Sequence, residues 1–262
     1  MEIVGYIASL LIGISLGLVG GGGSILTVPV LVYLFAISPN KAVSYSLFIV
    51  GVTSLVGAYN NYRKGFVDVK TVFLFGSASI ITVYITRKFI VPLLPEVIGH
   101  IGSVVITKSF LLMVLFAILM VAAFISMIKS RKPLLESNIE VKKWIPLVYG
   151  LALGLITGFL GAGGGFLLIP ALVIFMKLPM KTAIGTSLLI IALNSLIGFL
   201  GDLGNYSIDW KFIITVSAIA TAGIFIGGYF NQKVKSETLK KGFGWFVLVM
   251  GIYIIVKEVF LK

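Results

Sequence analysis

Gly17-Leu18-Val19-Gly20-Gly21-Gly22-Gly23-Ser24, followed by Pro29, returns later in the chain as Gly158-Phe159-Leu160-Gly161-Ala162-Gly163-Gly164-Gly165, followed by Pro170. The offset is 141 residues, and it holds without a gap well beyond the glycines. It carries Gly13 onto Gly154, Ala42 onto Ala183, and Ser46-Leu47 onto Ser187-Leu188. It also matches Ser54-Leu55 with Ser195-Leu196, Gly57 with Gly198, Asp68 with Asp209, and Lys70 with Lys211. A repeat of this length sets the architecture before any local signal does. In an apolar chain, duplicated segments interrupted by glycine and proline are where transporter folds place their substrate.

The chain is apolar. Only 11% of its residues are charged, 59% are hydrophobic, and the mean hydropathy is +1.13. A water-soluble domain carries about a quarter charged residues. Residues 42–62 contain no charge, and as a helix this stretch spans about 31 Å, the thickness of a bilayer core. A membrane β-barrel would show segments of about ten residues with alternating polarity, and these are absent. The composition therefore predicts an all-α polytopic membrane protein. Residues 3–18 resemble a signal peptide in hydrophobicity, but no basic residue precedes them. Their Leu10, Gly13 and Gly17 recur as Leu151, Gly154 and Gly158, so they belong to the mature fold.

Apolar helices are predicted at about 3–19, 24–37, 42–62, 69–86 and 107–128, then at 145–160, 165–177, 182–201, 210–230 and 239–260. Residues 1–128 form the first repeat, 129–143 a polar linker, and 144–262 the second repeat. Segment 87–106 contains Pro92, Pro95, Glu96 and His100 and reads as a bent interfacial stretch. Residues 24–37 give only about 21 Å of helix. Either 3–37 is one span broken at its glycines, or it is a helical hairpin whose tip lies within the membrane.

Basic residues discriminate between the two. Under the hairpin reading, fourteen Lys and Arg fall on the linker side and seven on the other; under the broken-span reading the split is eleven to ten. The positive-inside rule favours the hairpin, or two thin crossings with the same parity. It places the linker in the cytoplasm and both termini outside the cell membrane. A hairpin plus three transmembrane helices per half makes an odd number of crossings, so the predicted fold is two inverted repeats. Parallel repeats are the alternative.

The net charge of +12 raises nucleic acid as a partner, but the basic residues sit in short loops without any nucleic-acid-binding motif. No Lys-Ser/Thr follows the glycines and no strand precedes them, which excludes a P-loop or a dinucleotide fingerprint. His100 is the only histidine and there is no cysteine, so no metal site or cofactor is expected.

The glycine clusters Gly20, Gly21, Gly22, Gly23 with Ser24, and Gly161, Gly163, Gly164 with Gly165, each precede an apolar helix. Unwound backbone in a bilayer persists only where protein buries it or a wet cavity meets it. A helix starting there aims unpaired N–H groups and its positive end at that cavity, which suits an anion. The spacing Gly13-Gly17-Gly21 and Gly150-Gly154-Gly158 also suits close helix packing. The next helix of each half adds Ser46, Thr53 and Ser54, then Thr186, Ser187, Asn194 and Ser195. Ser46 and Thr53, like Ser187 and Asn194, are seven apart and share a helical face. These groups either donate to an oxyanion or hold helices together. Asp202 is read as an interfacial, solvated aspartate in preference to a proton carrier; proton coupling is compatible with the pattern, but no buried carboxylate demands it. Asp68 and Asp209 are read as helix caps.

With these motifs in place, the chain resembles the TauE/SafE family of membrane transporters. The likeness rests on the two glycine clusters with Pro29 and Pro170, and on Lys41-Ala42-Val43-Ser44-Tyr45-Ser46 and Thr182-Ala183-Ile184-Gly185-Thr186-Ser187. It implies export of sulfur-containing anions such as sulfite and organosulfonates. The residues alone imply a small anionic substrate near paired glycine loops. A secondary carrier working by alternating access is the leading expectation, and an anion channel the alternative. No acid–base pair or activated nucleophile suggests an enzyme. Beyond substrate and lipid bilayer, a homodimer is compatible with the pattern.

Overall fold

Proline and aspartate start the helices where the sequence places them. The computed structural model describes residues 2–21, 23–101, 104–128, 144–161, 163–205, 207–230 and 236–260. Helix α1 is Glu2–Val19 and α2 is Ser24–Tyr33. Pro39 opens α3, Pro39–Arg63, at the first turn, where its missing N–H costs nothing. The Asp68 carboxylate caps α4, Val69–Leu93, by accepting from the Lys70 N–H at 3.0 Å. A short antiparallel pair, β1 (Val97–Ile101) with β2 (Val104–Thr107), leads into α5, Lys108–Ile128. The second half repeats the order: α6 Trp144–Leu160, α7 Gly165–Phe175, α8 Met180–Asp202, α9 Trp210–Phe230 and α10 Ser236–Ile255. Asp209 caps α9 by accepting from the Phe212 N–H at 3.0 Å. Among the described residues, five helices are long and apolar enough to cross a membrane, by length and composition: α3, α4, α5, α8 and α9. Ile3, Ile7, Leu11, Phe73, Ile81, Ile118 and Ile125 point outward, as expected where lipid is the solvent. The protein is a multi-pass, all-α membrane protein.

In each half the first two helices fold back on one another. The rings of Tyr6 and Phe35 meet at 5.4 Å, while Gly23 lies against Ile12 and Leu16. Tyr149 and Phe175 meet at 5.3 Å, while Gly164 lies against Thr157 and Leu153. Both are therefore hairpins. Gly20 and Gly161 sit at the turns with φ of 75° and 66°, a conformation that side chains other than glycine resist.

Glycine stripes then join the halves crosswise. Gly13 and Gly17 of α1 meet Ala220 and Ile224–Gly228 of α9, the two helices running parallel. Gly150, Gly154 and Gly158 of α6 meet Phe75–Ser79, Thr82 and Thr86 of α4 in the same way. Without a Cβ the backbones approach closely enough to touch. At the centre, α3 and α8 run antiparallel: Leu47 faces Gly198, Gly51 faces Leu196, Gly57 faces Leu188 and Asn61 faces Gly185. Helices α5 and α10 are antiparallel too, with Phe124 against Trp245 and Met120 against Gly251.

Two sequence expectations need correction. Residues 87–93 are not interfacial loop but the last turns of α4. A widened, π-type turn at Thr86–Ile90 carries the helix on, and Pro92 lies so near the helix end that its missing N–H interrupts nothing beyond it. Asp202 is not solvated: it is 1% exposed and paired with Arg87. Arg87 and Lys108, counted as loop charges, are likewise buried. The linker 129–143 lies outside the described residues.

Candidate functional site

The two hairpin turns meet tip to tip in the interior of the bundle. A Cβ placed on Gly21 would lie 2.7 Å from the Gly165 Cα, so backbone abuts backbone there. Each tip is held by the long helix of the opposite half. The Ser46 hydroxyl donates to the Gly161 carbonyl at 2.8 Å, and the Ser187 hydroxyl donates to the Gly20 carbonyl at 3.2 Å and to Ile184 O at 2.8 Å. Shifting Ser46 and Gly161 by the repeat length yields the second clasp, so the two bonds are equivalents. Ser24 donates to Gly21 O at 2.8 Å and tightens the first turn from within.

These bonds sort the electrostatics of the site. Gly20 and Gly161 end the first helices of the hairpins, and their carbonyls carry the negative ends of those helices. The serine hydroxyls neutralise these acceptors. Helices α2 and α7 begin at the same place with Gly23 and Gly164 as N-caps and no side-chain cap, which leaves their first N–H groups as the donors in the centre. Two helix starts without capping side chains, on touching tips, form a place for negative charge.

Unpartnered hydroxyls surround the tips. Thr53 and Asn194 occupy the middle of the α3–α8 crossing, between the Gly51–Leu196 and Gly57–Leu188 contacts, and both are 0% exposed. The Asn194 amide donates to Ser79 Oγ at 2.7 Å, while its Oδ1 and the Thr53 hydroxyl have no partner. Ser195 Oγ is 3.4 Å from where a Gly163 Cβ would stand, and it too is unpartnered. The same holds for Ser54 and Thr157. Each such group costs about 1–3 kcal/mol if nothing bonds to it. Two small voids, each with room for about one water molecule, lie beside the hairpins, one lined by Thr157 and Gly164 and the other by Ser9 and Thr27.

Of the residues the sequence singled out, Gly20, Gly21, Gly23, Ser24, Ser46, Gly161, Gly163, Gly164, Gly165 and Ser187 come together at the tips, with Thr53 and Asn194 in the adjoining crossing. Thr186 does not: its hydroxyl accepts from the Asp68 N–H at 2.9 Å, at the cap of α4. Gly22 lies outside the described residues. Thr157 and Ser79 were not anticipated. Thr157 stands one turn before the second tip, and that spacing was the available signal; Ser79 comes from α4 and is brought in by tertiary packing alone.

Comparison with known proteins places the chain in a family. The family described as Sulfite exporter TauE/SafE matches residues 6–254. A "Probable membrane transporter protein" of Xylella fastidiosa (strain Temecula1) is 30% identical, covering 94% of this chain and 91% of its own length. One of Methanocaldococcus jannaschii, MJ0441, is 27% identical over 97% of this chain and 93% of its own. The Bacillus subtilis "Probable membrane transporter protein YdhB" is 24% identical over 88% and 90%. No solved structure matches.

Proposed function

This chain belongs to the sulfite exporter TauE/SafE family of membrane transporters, and from that premise we propose that it is a secondary carrier for a small oxyanion, of the sulfite or sulfonate class. The observation that carries the proposal is the pair of equivalent clasps, Ser46 to Gly161 and Ser187 to Gly20, which hold two uncapped helix starts against each other. N–H and O–H donors without a fixed cation suit an anion that must be bound and then released.

Antiparallel α3 and α8, which are repeat equivalents, support two halves related by an axis lying in the membrane plane. Inverted repeats with discontinuous helices at mid-bilayer are the layout through which a fixed site opens alternately to either side. The complete burial of Ser46, Thr53, Ser187 and Asn194 fits a closed stage of that cycle better than an open pore. The linker is assigned to the cytoplasm by the bias of basic loops. Inside-negative potential then favours anion exit by about 2.3 kcal/mol per charge per 100 mV. Efflux of labelled sulfite and of taurine-derived sulfonates from proteoliposomes tests the proposal. Flux should exceed that of empty liposomes and saturate; no excess for any of these oxyanions discards it.

A further inference from the structure

An ion pair lies inside the bundle. Arg87 and Asp202 are each 1% exposed. The guanidinium donates from Nε to Asp202 Oδ1 at 2.9 Å, from Nη2 to Oδ2, and from Nη1 to the Gly158 carbonyl at 3.3 Å. The repeat shift takes Arg87 to Gly228 and Asp202 to Asn61, so this pair has no counterpart at the equivalent positions. The register of this comparison is sound, because Gly158 meets Thr86 just as its counterpart Gly17 meets Gly227 and Gly228. Burying the pair costs desolvation that a well-packed apolar contact avoids.

The surroundings are those of a binding site. Arg87 uses three of its five N–H donors. The neighbouring Thr86 hydroxyl is fully buried and unpartnered, and both residues sit in the widened turn of α4. Lys108, 4% exposed, donates to Val91 O at 2.6 Å, on the last turns of α4. Gly158, whose carbonyl the guanidinium meets, precedes Gly161 of the second tip by three residues, about 4.5 Å along the helix axis.

We propose that Arg87 is a second station for the transported oxyanion, and that the Asp202 carboxylate occupies the oxyanion's place on it between transport events. The inference rests on the carrier reading above. A carboxylate and a sulfur oxyanion present the same paired oxygens to the planar fork of arginine. On arrival the oxyanion displaces Asp202, which ends α8, and takes up the two unused N–H groups and the Thr86 hydroxyl.

Titration calorimetry of the full chain in detergent, with sodium sulfite and sodium isethionate as probes and sodium chloride as control, tests this. Competition predicts opposite signs: Asp202→Asn tightens binding about tenfold by removing one charge-assisted rival, and Arg87→Gln weakens it at least as much. Arg87→Lys keeps the charge but loses the fork and is expected to bind weakly. The double variant should follow Arg87→Gln. A purely structural pair predicts instead that both single variants lose binding and that the double variant recovers it. Should Asp202→Asn fail to stay monodisperse, Asp202→Ser is read by the same sign. Losses in both single variants, with wild-type protein still binding sulfite, overturn the station and leave the carrier intact. Wild-type protein that binds neither probe overturns the anion reading, and the station with it.

Discussion

Ser46 and Ser187 are equivalent in sequence but not in bonding. Ser46 commits its proton to Gly161 O alone, whereas Ser187 divides its proton between Gly20 O and its own helix at Ile184 O. Ser46→Ala strips the second tip of its donor and is expected to destabilise the protein by about 1–3 kcal/mol, as an unsatisfied buried carbonyl would. Ser187→Ala should cost less, because that proton already satisfies a local acceptor. Thermal unfolding in detergent measures both, and equal losses would contradict the asymmetry. The sequence offered two uses for both serines, donation to an oxyanion and holding helices together, without deciding between them. It could not show that their protons are taken by carbonyls of the opposite half, since those partners lie 115 and 167 residues away. The Arg87–Asp202 pair escaped for the same reason: on its own, an aspartate at a helix end reads as a solvated one.

Among elements, the glycine spacing was legible as packing and as turn, and both uses are present. The stripe on α1 meets the backbone of α9 so closely that Gly223 touches the Leu10 carbonyl. Gly223→Leu is therefore expected to prevent α1 from docking and to abolish monodisperse protein in size-exclusion chromatography. Gly228, one turn on, has open space where a Cβ would be placed. Gly228→Ala should be neutral or gain up to about 1 kcal/mol in helix propensity. If the two substitutions behave alike in a melting experiment, close backbone contact is not what holds α1. The hairpin was preferred over a broken span on loop charges alone, and the ring contacts Tyr6–Phe35 and Tyr149–Phe175 have the hairpin arrangement. The end of α4 was misread because proline signals a break only where the helix must continue beyond it. Removing Arg87 and Lys108 from the loop count leaves the charge bias stronger than the sequence suggested.

For the whole molecule, the antiparallel crossing of α3 and α8 is the feature on which the inverted relation of the halves depends. A chain without cysteine makes it testable by cross-linking. Cysteines at Gly51 and Leu196, or at Gly57 and Leu188, should form disulfides in membranes under mild oxidation, since their side chains face each other. Parallel halves would instead bring Gly51 toward its equivalent Ala192, and efficient linkage of that pair alone would end the inverted reading. Helix order, the caps, the glycine turns and membership of a membrane class were written in the sequence, because each follows from local hydrophobicity, spacing or backbone freedom. Tertiary structure alone decided which buried hydroxyls are spent and which are free, that Thr186 serves a distant cap, and that Arg87 and Asp202 meet as a buried pair. These are contacts between residues far apart in the chain, and the energy of a buried polar group depends on its partner, which no local pattern encodes.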